Sequence, residues 1–360
     1  MREAVATSQP GAAWWRRRPA LVGGGALAAL SFGVFALGAG FVTGSLRVVL
    51  AAVLLALVIG LVAVAILGGS DVRKQLAPYG LLKPGVLWLA LFYLAPLWAL
   101  FVMSLSSKES RFDFTYDFTW EWSNYKTALS DFGEQFTRAF GYAGVATLLC
   151  ILIGYPLAYV IAFRGGKYKN LLLGMVVVPF FTSYLIRTIA WKSLLADTGP
   201  IISVLETFGL MGLFDTLGIV QNGGIINTPA AVIGGLTYNF LPFMVLPIYV
   251  SLEKIDPRLV DAAKDLYCPG PRAFRKVVLP LSLPGVFAGT LLTYIPASGD
   301  FINAELLGSP NTTMIGNSIQ DQFLKLNNYP LASAMSFVLM FVITIAVLIY
   351  ARVLGTEDLT

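Results

Sequence analysis

No histidine occurs among the 360 residues, and cysteine occurs only twice. Without histidine the chain lacks the commonest metal ligand and the usual proton carrier near neutral pH, which excludes histidine-based catalysis. Cys150 lies in a long apolar run and Cys268 in a polar stretch. They are not expected to pair, and neither has a second ligand beside it, so no metal site is expected. Charge is scarce as well: 12% of the residues are charged against 57% hydrophobic, and the mean hydropathy is +0.74. That balance excludes an ordinary soluble domain. There is no Gly-x-x-x-x-Gly-Lys-Ser/Thr run to cradle a phosphate. Internal repeats are absent too, and the one compositionally biased tract is an Ala/Gly-rich stretch near the start.

What the chain has in abundance is long apolar runs. A bilayer core of roughly 30 Å takes about 20 apolar residues in a helix that satisfies its own backbone hydrogen bonds. Eight runs meet this requirement: Ala20–Phe41, Val48–Leu67, Val86–Leu105, Ala139–Ala162, Asn170–Ala190, Ala230–Val250, Val277–Ala297 and Leu331–Leu354. The expected fold class is therefore an all-α polytopic membrane protein with eight transmembrane helices. The first two runs, joined by TGSLR, form a hairpin over 19–68, after a basic tail at 1–18. A linker at 69–85 leads to a six-helix core at 86–354, and a short tail follows at 355–360. The basic leader before the first run resembles a secretory signal. Its apolar run is too long for one, and a second span follows at once, so a retained anchor is expected.

Basic residues favour the cytoplasmic side. With the N-terminus inside, the inner segments hold 17 of the 25 Lys and Arg, and the outer segments hold 12 of the 20 Asp and Glu. Both termini are thus expected in the cytoplasm. The outer acidic excess could attract a cationic solute, or could be a plain result of the same bias. The basic residues are dispersed along loop edges, so a nucleic-acid surface is not expected. Outside, RFDFTYDFTWEW within 106–138 predicts an ordered hairpin or an interfacial segment, and 199–228 predicts an amphipathic surface helix.

Between two long apolar segments stands the charged stretch DAAKDLYCPGPRAFRKVVLPLSLPG at 261–285, which begins inside a cytoplasmic loop at 251–280. Asp256 is placed as an N-cap with Pro257 at the first helical position, and CPGP should end the helix. Between them Leu259, Ala262, Ala263, Leu266 and Tyr267 fall on one face, with Arg258, Asp261, Lys264 and Asp265 on the other. Such a helix, about 16 Å long at 1.5 Å per residue, is too short to span. It either packs its apolar face on its own chain or offers that face to a partner.

These residues resemble the EAA loop of permease subunits of type I ATP-binding cassette importers. The matching positions are Asp261, Ala262, Ala263, Leu266, Phe274, Val278, Leu279, Pro280, Pro284 and Gly285. Tyr267 and Cys268 depart from the pattern, which has a glycine and a small residue there. PFFTSYLIRTIAWKSLLADTGPI at 179–201 and YIPASGDFINAELLGSPNTTMIGNSIQDQF at 294–323 are similar to the spermidine/putrescine permease branch, specifically its first permease subunit. The resemblance covers about residues 84–354 and leaves the first hairpin without a counterpart. It implies coupling to an ATPase through Arg258, Asp261, Ala262, Ala263, Lys264, Asp265, Leu266 and Tyr267. It also implies ATP and Mg²⁺ bound by that partner and no cofactor on this chain. The partners implied are a second permease, a dimer of ATPase subunits and an external polyamine-binding protein, at the cytoplasmic membrane of a prokaryote.

For a polyamine, carboxylates and aromatic faces supply charge pairing and cation–π contact. Asp300, Asn303, Glu305, Tyr294, Tyr238 and Asn239 are the candidates for a translocation path or outer gate, against membership of a solvated outer loop. Arg187 and Trp191 either anchor a helix end at the interface or join that gate. Two alternatives remain in transport: another small solute in the same importer class, or ion-coupled secondary transport, which would leave ionisable residues inside the spans. A membrane anchor recruiting a cytoplasmic protein is a third reading.

Overall fold

The computed structural model describes residues 85–86, 88–107, 116–209, 211–216, 219–220 and 224–354. The expected N-terminal hairpin, both tails and nearly all of the linker lie outside them. The chain divides into two compact units, 1–102 and 103–360. In the first, a π-helical turn at Ala90–Leu94 runs into α1, Ala95–Ser104, which ends in the second. This apolar helix, Ala90–Ser104, is shorter than a full span.

In the second unit, β1 (Ser106–Ser107) pairs antiparallel with β2 (Asp117–Phe118), Ser106 opposite Phe118. This is the hairpin expected outside, with Trp120 and Trp122 exposed behind it. Then come α2 (Ser123–Asp131), α3 (Gly133–Arg164), α4 (Lys169–Val177), α5 (Tyr184–Leu195), α6 (Pro200–Thr207) and α7 (Met211–Thr216). The remainder is α8 (Pro229–Glu253), α9 (Pro257–Asp265), α10 (Gly270–Ala273), α11 (Leu279–Ser298), α12 (Ile302–Leu307), α13 (Ile315–Gln320) and α14 (Tyr329–Leu354). Among the described residues four helical spans are long and apolar enough to cross a membrane: Gly133–Arg164, Pro229–Glu253, Gly270–Ser298 and Tyr329–Arg352. A bent pair, Gly166–Phe181 with Tyr184–Thr207, meets the same requirement only when its two arms are taken together.

The bundle is built around α8. More of its apolar stretch is buried, 56% against 22% for α14, so α8 is the central helix and α14 a peripheral one. Lipid offers no hydrophobic drive for helices to associate, so close contact depends on small residues. On α3 the buried positions are Phe136, Ala139, Ala143, Ala146, Thr147, Cys150, Gly154, Ala158 and Ile161, a single stripe at helical spacing and mostly small, while Leu148 and Leu152 are exposed. Across from it, α11 approaches at Gly285. A Cβ there would stand 2.5 Å from both the Pro247 carbonyl oxygen and Ser251 Oγ, which accounts for a glycine at this place in the loop pattern.

Two apolar clusters hold the bundle together. One gathers Phe136, Leu236, Phe240, Met314, Ile315 and Met335 towards α12; the other gathers Ile161, Met244, Ile248, Leu252 and Val278 towards α9. Before α11 the chain widens into a π turn at Phe274–Val278. Pro280 gives no N–H to the carbonyl four residues back and its ring crowds that turn, and the wider turn relieves the crowding.

Two expectations are corrected. The run at 170–190 is not one straight span: it breaks at Thr182 and Ser183, whose ψ angles of 152° and 134° are extended, and the arms meet at 96°. Pro179 sits in the 3-10 turn just before, and Thr182 closes that turn by donating its hydroxyl to the Pro179 carbonyl at 2.6 Å. The segment at 199–228, expected outside as one helix, holds two short helices, α6 and α7, separated where Gly209 takes a φ of +65°. Its apolar residues Ile202, Val220 and Ile225 are buried with Leu195 and Leu307.

Replacing Gly285 with Val should push α11 off α8 and cost about 1–3 kcal/mol, the usual range for overpacking. A lowered unfolding midpoint of the detergent-solubilised chain is the expected result.

Candidate functional site

The first candidate lies at the α9 end. As expected, Asp256 caps α9, accepting the Arg258 N–H at 2.9 Å, with Pro257 next. The helix stops at Asp265, before the CPGP turn. The reason is a Schellman closure: the Tyr267 N–H donates to the Lys264 carbonyl at 2.8 Å and the Cys268 N–H to the Ala263 carbonyl at 3.0 Å. Tyr267 therefore has a φ of +57°, where glycine is favoured and an L side chain costs about 1–2 kcal/mol. Leu266 and Tyr267 consequently leave the helix and do not extend its apolar face.

No residue of α9 is buried. Only Val260 and Ala263 are partly covered, Val260 against the α9-end cluster. Leu259 and Ala262 are exposed, Leu266 is 82% exposed and Tyr267 96%. Asp261 accepts an ion pair from Lys264 at 2.9 Å, and Arg258 and Asp265 face solvent. Within this chain, then, the apolar face is left largely free.

The second candidate is a buried polar chain at the α12 end. Tyr184, Arg187 and Thr188 occupy one face of α5, Asn239 lies on α8, Asp300 lies between α11 and α12, and Asn303 lies on α12. Tyr184 donates its hydroxyl to Asp300 Oδ2 at 2.5 Å and accepts Asn303 Nδ2 at 2.5 Å. The Asn303 backbone N–H donates to Asp300 Oδ1 at 2.8 Å. Asn239 Nδ2 donates to Asn303 Oδ1 and to Thr188 Oγ1, each at 3.2 Å. Asn239 Oδ1 is buried without a hydrogen-bond partner.

The sequence-predicted residues divide accordingly. Asp300, Asn303 and Asn239 meet in one network. Trp191 and Tyr238 meet each other, ring centroids 5.2 Å apart. Arg187 does not reach out to an interface: it is 8% exposed, with its guanidinium 5.0 Å from the Phe180 ring centroid and 5.7 Å from that of Tyr184. Its Nε has no hydrogen-bond partner, and neither it nor Asp300 has an ion-pair partner among the described residues. Glu305 stands apart, accepting Asn317 Nδ2 at 3.3 Å, and Tyr294 packs on the apolar cluster. Asp300 is 9% exposed and so is no part of a solvated loop. Burial pushes its carboxyl above the ordinary carboxylate range, although the bonds from Tyr184 and Asn303 pull the other way.

Tyr184 and Thr188 were not among the sequence candidates. Their signal was the spacing of Tyr184, Arg187 and Thr188, three polar-tipped residues at i, i+3 and i+4 in an apolar run. Gly316 permits the corner that presents Asp300: a Cβ there would lie 2.7 Å from the Gly299 carbonyl oxygen and 2.9 Å from that of Asp300. Among the described residues no cluster of His, Cys, Asp or Glu could hold a metal ion. The Tyr184→Phe substitution keeps the ring but strands Asp300 Oδ2 and Asn303 Nδ2. It should cost about 1–3 kcal/mol, read as a lowered unfolding midpoint of the solubilised chain.

The family model described as "Binding-protein-dependent transport system inner membrane component" matches residues 134–355. The spermidine/putrescine transport system permease protein PotB of Haemophilus influenzae is 36% identical over 266 residues, covering 74% of this chain and 90% of that protein. PotB of Escherichia coli K12 is 36% identical over 267 residues, covering 74% and 93%. The inner membrane ABC transporter permease protein YdcU of the same organism is 34% identical over 226 residues, covering 61% and 71%. Among solved structures, a chain of a bacterial ABC transporter involved in import of the acidic polysaccharide alginate superimposes with a TM-score of 0.54 at 17% identity, covering 79% of this chain and 96% of that one. With all but the first residue of its α3-to-α14 bundle inside the matched region, this chain belongs to the family of binding-protein-dependent transport system inner membrane components.

Proposed function

We propose that this chain is the transmembrane permease subunit of an ATP-driven importer of polyamines of the spermidine and putrescine class. It works with a second permease, two ATPase subunits that bind ATP and Mg²⁺, and an external polyamine-binding protein. The observation that carries the reading is the similarity to PotB permeases along most of both chains. The chain itself performs no covalent chemistry. It sits in the cytoplasmic membrane of a prokaryote with eight spans, both termini inside, the six-helix core at 86–354 and an added hairpin at 19–68.

Coupling runs through α9. Its largely uncovered face suits docking on an ATPase subunit, with Ala262 and Ala263 permitting close approach, Leu266 and Tyr267 at the tip, and Arg258, Asp261, Lys264 and Asp265 around them. At the other end, Asp300, Asn303 and Asn239 form the outer gate or path, with Tyr238, Trp191, Arg187, Tyr294 and Glu305 around it. ATP-driven closure of the partner then shifts the bundle between two states through contacts that differ between them.

A second reading, ion-coupled secondary transport, is favoured by one observation: Arg187 and Asp300 are buried ionisable groups close to the spans. Accumulation of labelled putrescine in proteoliposomes separates the two. The importer requires the ATPase and ATP; accumulation driven by an ion gradient without them would establish the second reading instead.

Asp261→Arg should remove a carboxylate beside the docking face and place a cation there, so that the ATPase is lost from the purified complex or its hydrolysis no longer drives uptake. Unchanged assembly and uptake would defeat the docking reading. Asp300→Asn should lower putrescine accumulation while the complex still assembles, whereas equal accumulation would remove Asp300 from the path.

A further inference from the structure

We infer that Phe180 and Tyr184 form a subsite for one ammonium group of the solute, and that Arg187 is a tethered cation that occupies this subsite in the solute's absence. The inference rests on the path reading of Asp300 and deepens it, naming the rings that hold the solute and the side chain that competes with it.

The break in the bent span builds the subsite. Phe180 lies in the 3-10 turn that ends one arm and Tyr184 opens the other, with the extended pair Thr182 and Ser183 between them. The two rings thereby face one guanidinium, whose carbon is 5.0 Å from the Phe180 centroid and 5.7 Å from that of Tyr184. Both distances are within cation–π reach, about 6 Å. Rings of α8 hold them there: Phe243 meets Phe180 edge to face at 4.8 Å between centroids, and Phe240 is 6.2 Å from Tyr184. Phe180 and Tyr184 are half-buried beside an exposed Thr182 and Ser183, so neither ring is closed off by this chain. Tyr184 also leads to Asp300 through its hydroxyl, and the same network offers the buried Asn239 Oδ1, which has no hydrogen-bond partner. Aromatic faces, a carboxylate and a spare carbonyl oxygen together suit a cation that carries N–H donors, whereas an anion would meet like charge at Asp300.

Arg187 is the member whose own needs are unmet. It is buried, its Nε lacks a hydrogen-bond partner, and it has no ion-pair partner among the described residues. A structural arginine at this depth would be satisfied by carboxylates or carbonyls, because an unpaired buried charge is costly. Here the guanidinium takes the aromatic faces instead, the position suited to a solute cation. Solute entry therefore requires the guanidinium to give way, and its charge weakens binding. A transport path needs such weakening: a site must be favourable enough to enter and weak enough to leave. The rings with Asp300 alone would bind a diamine firmly and release it slowly. Arginine suits the role because it stays charged at any physiological pH and stacks on aromatic faces.

The test uses the complex of both permeases and the ATPase subunits, purified without the binding protein for equilibrium binding of labelled putrescine, and reconstituted with it for ATP-driven accumulation. Arg187→Gln should bind putrescine about tenfold more tightly than native, the scale of one desolvated cation–π contact, and accumulate it more slowly. Arg187→Lys should restore native behaviour in both. Adding Phe180→Leu to Arg187→Gln should abolish the gain in affinity. If a folded Arg187→Gln complex binds no tighter than native, or if the gain survives Phe180→Leu, the subsite is overturned, and the path reading stands as long as Asp300→Asn still lowers accumulation. Should Arg187→Gln fail to fold, Phe180→Leu alone, with the cation still in place, is expected to lower accumulation, and native accumulation overturns the subsite. If Asp300→Asn also accumulates as native, the path reading falls and the subsite falls with it.

Discussion

The separation between α8 and its neighbours governs the rest of the molecule. Small side chains on α3 and Gly285 on α11 let the three backbones approach closely, and at that distance there is no room for water around polar groups. Most buried polar side chains then find a partner within the same chain, on their own helix as Thr147 does with the Ala143 carbonyl, or on another helix. Cys150 does so by donating to the Thr237 carbonyl at 3.4 Å, and Tyr155 and Ser282 share a hydrogen bond at 2.8 Å. The Asp300 network is the largest instance. It joins α5, α8 and the α11–α12 corner, elements far apart in sequence, so their relative positions are set by side-chain geometry as much as by apolar packing.

Much of the bundle was legible because a span in lipid is a simple demand on composition. The runs at 139–162, 230–250, 277–297 and 331–354 each correspond to a helix, and the Asp256–Pro257 start of α9 was readable from capping chemistry alone. The break at Thr182 was not. Phe180, Phe181 and Leu185 are as apolar as any span requires, and hydropathy does not register the backbone rotation that Pro179 and Thr182 produce between them. The end of α9 was misplaced for a related reason. Proline marks a boundary that a helix cannot cross, yet the Schellman bonds to Lys264 and Ala263 end it sooner, and nothing about a tyrosine announces a left-handed turn.

The buried site was half visible. Asp300, Asn303 and Asn239 stood out as polar residues in apolar surroundings. Tyr184 did not, because tyrosine is ordinary at a membrane interface and its role depends on the 96° bend that brings it to Asp300. Glu305 stood out for the wrong reason: closeness in sequence to Asp300 placed it in the same group, while α12 turns it towards Asn317. The shared fold does not itself specify a solute, since the alginate transporter chain adopts it for an acidic polysaccharide. Differences of that kind reside in a few side chains on a common frame.

The extended pair at Thr182 and Ser183 distributes stiffness unevenly along its span. Within a helix, a change of angle breaks several backbone hydrogen bonds together. At this elbow the chain has already left the helical ladder, and the bond from the Thr182 hydroxyl to Pro179 bears much of what holds the angle locally. The angle between the two arms is therefore set at this elbow with few backbone hydrogen bonds across it. Tyr184, the first residue of the second arm, ties that angle to the hydrogen bond that holds the Asp300 carboxylate.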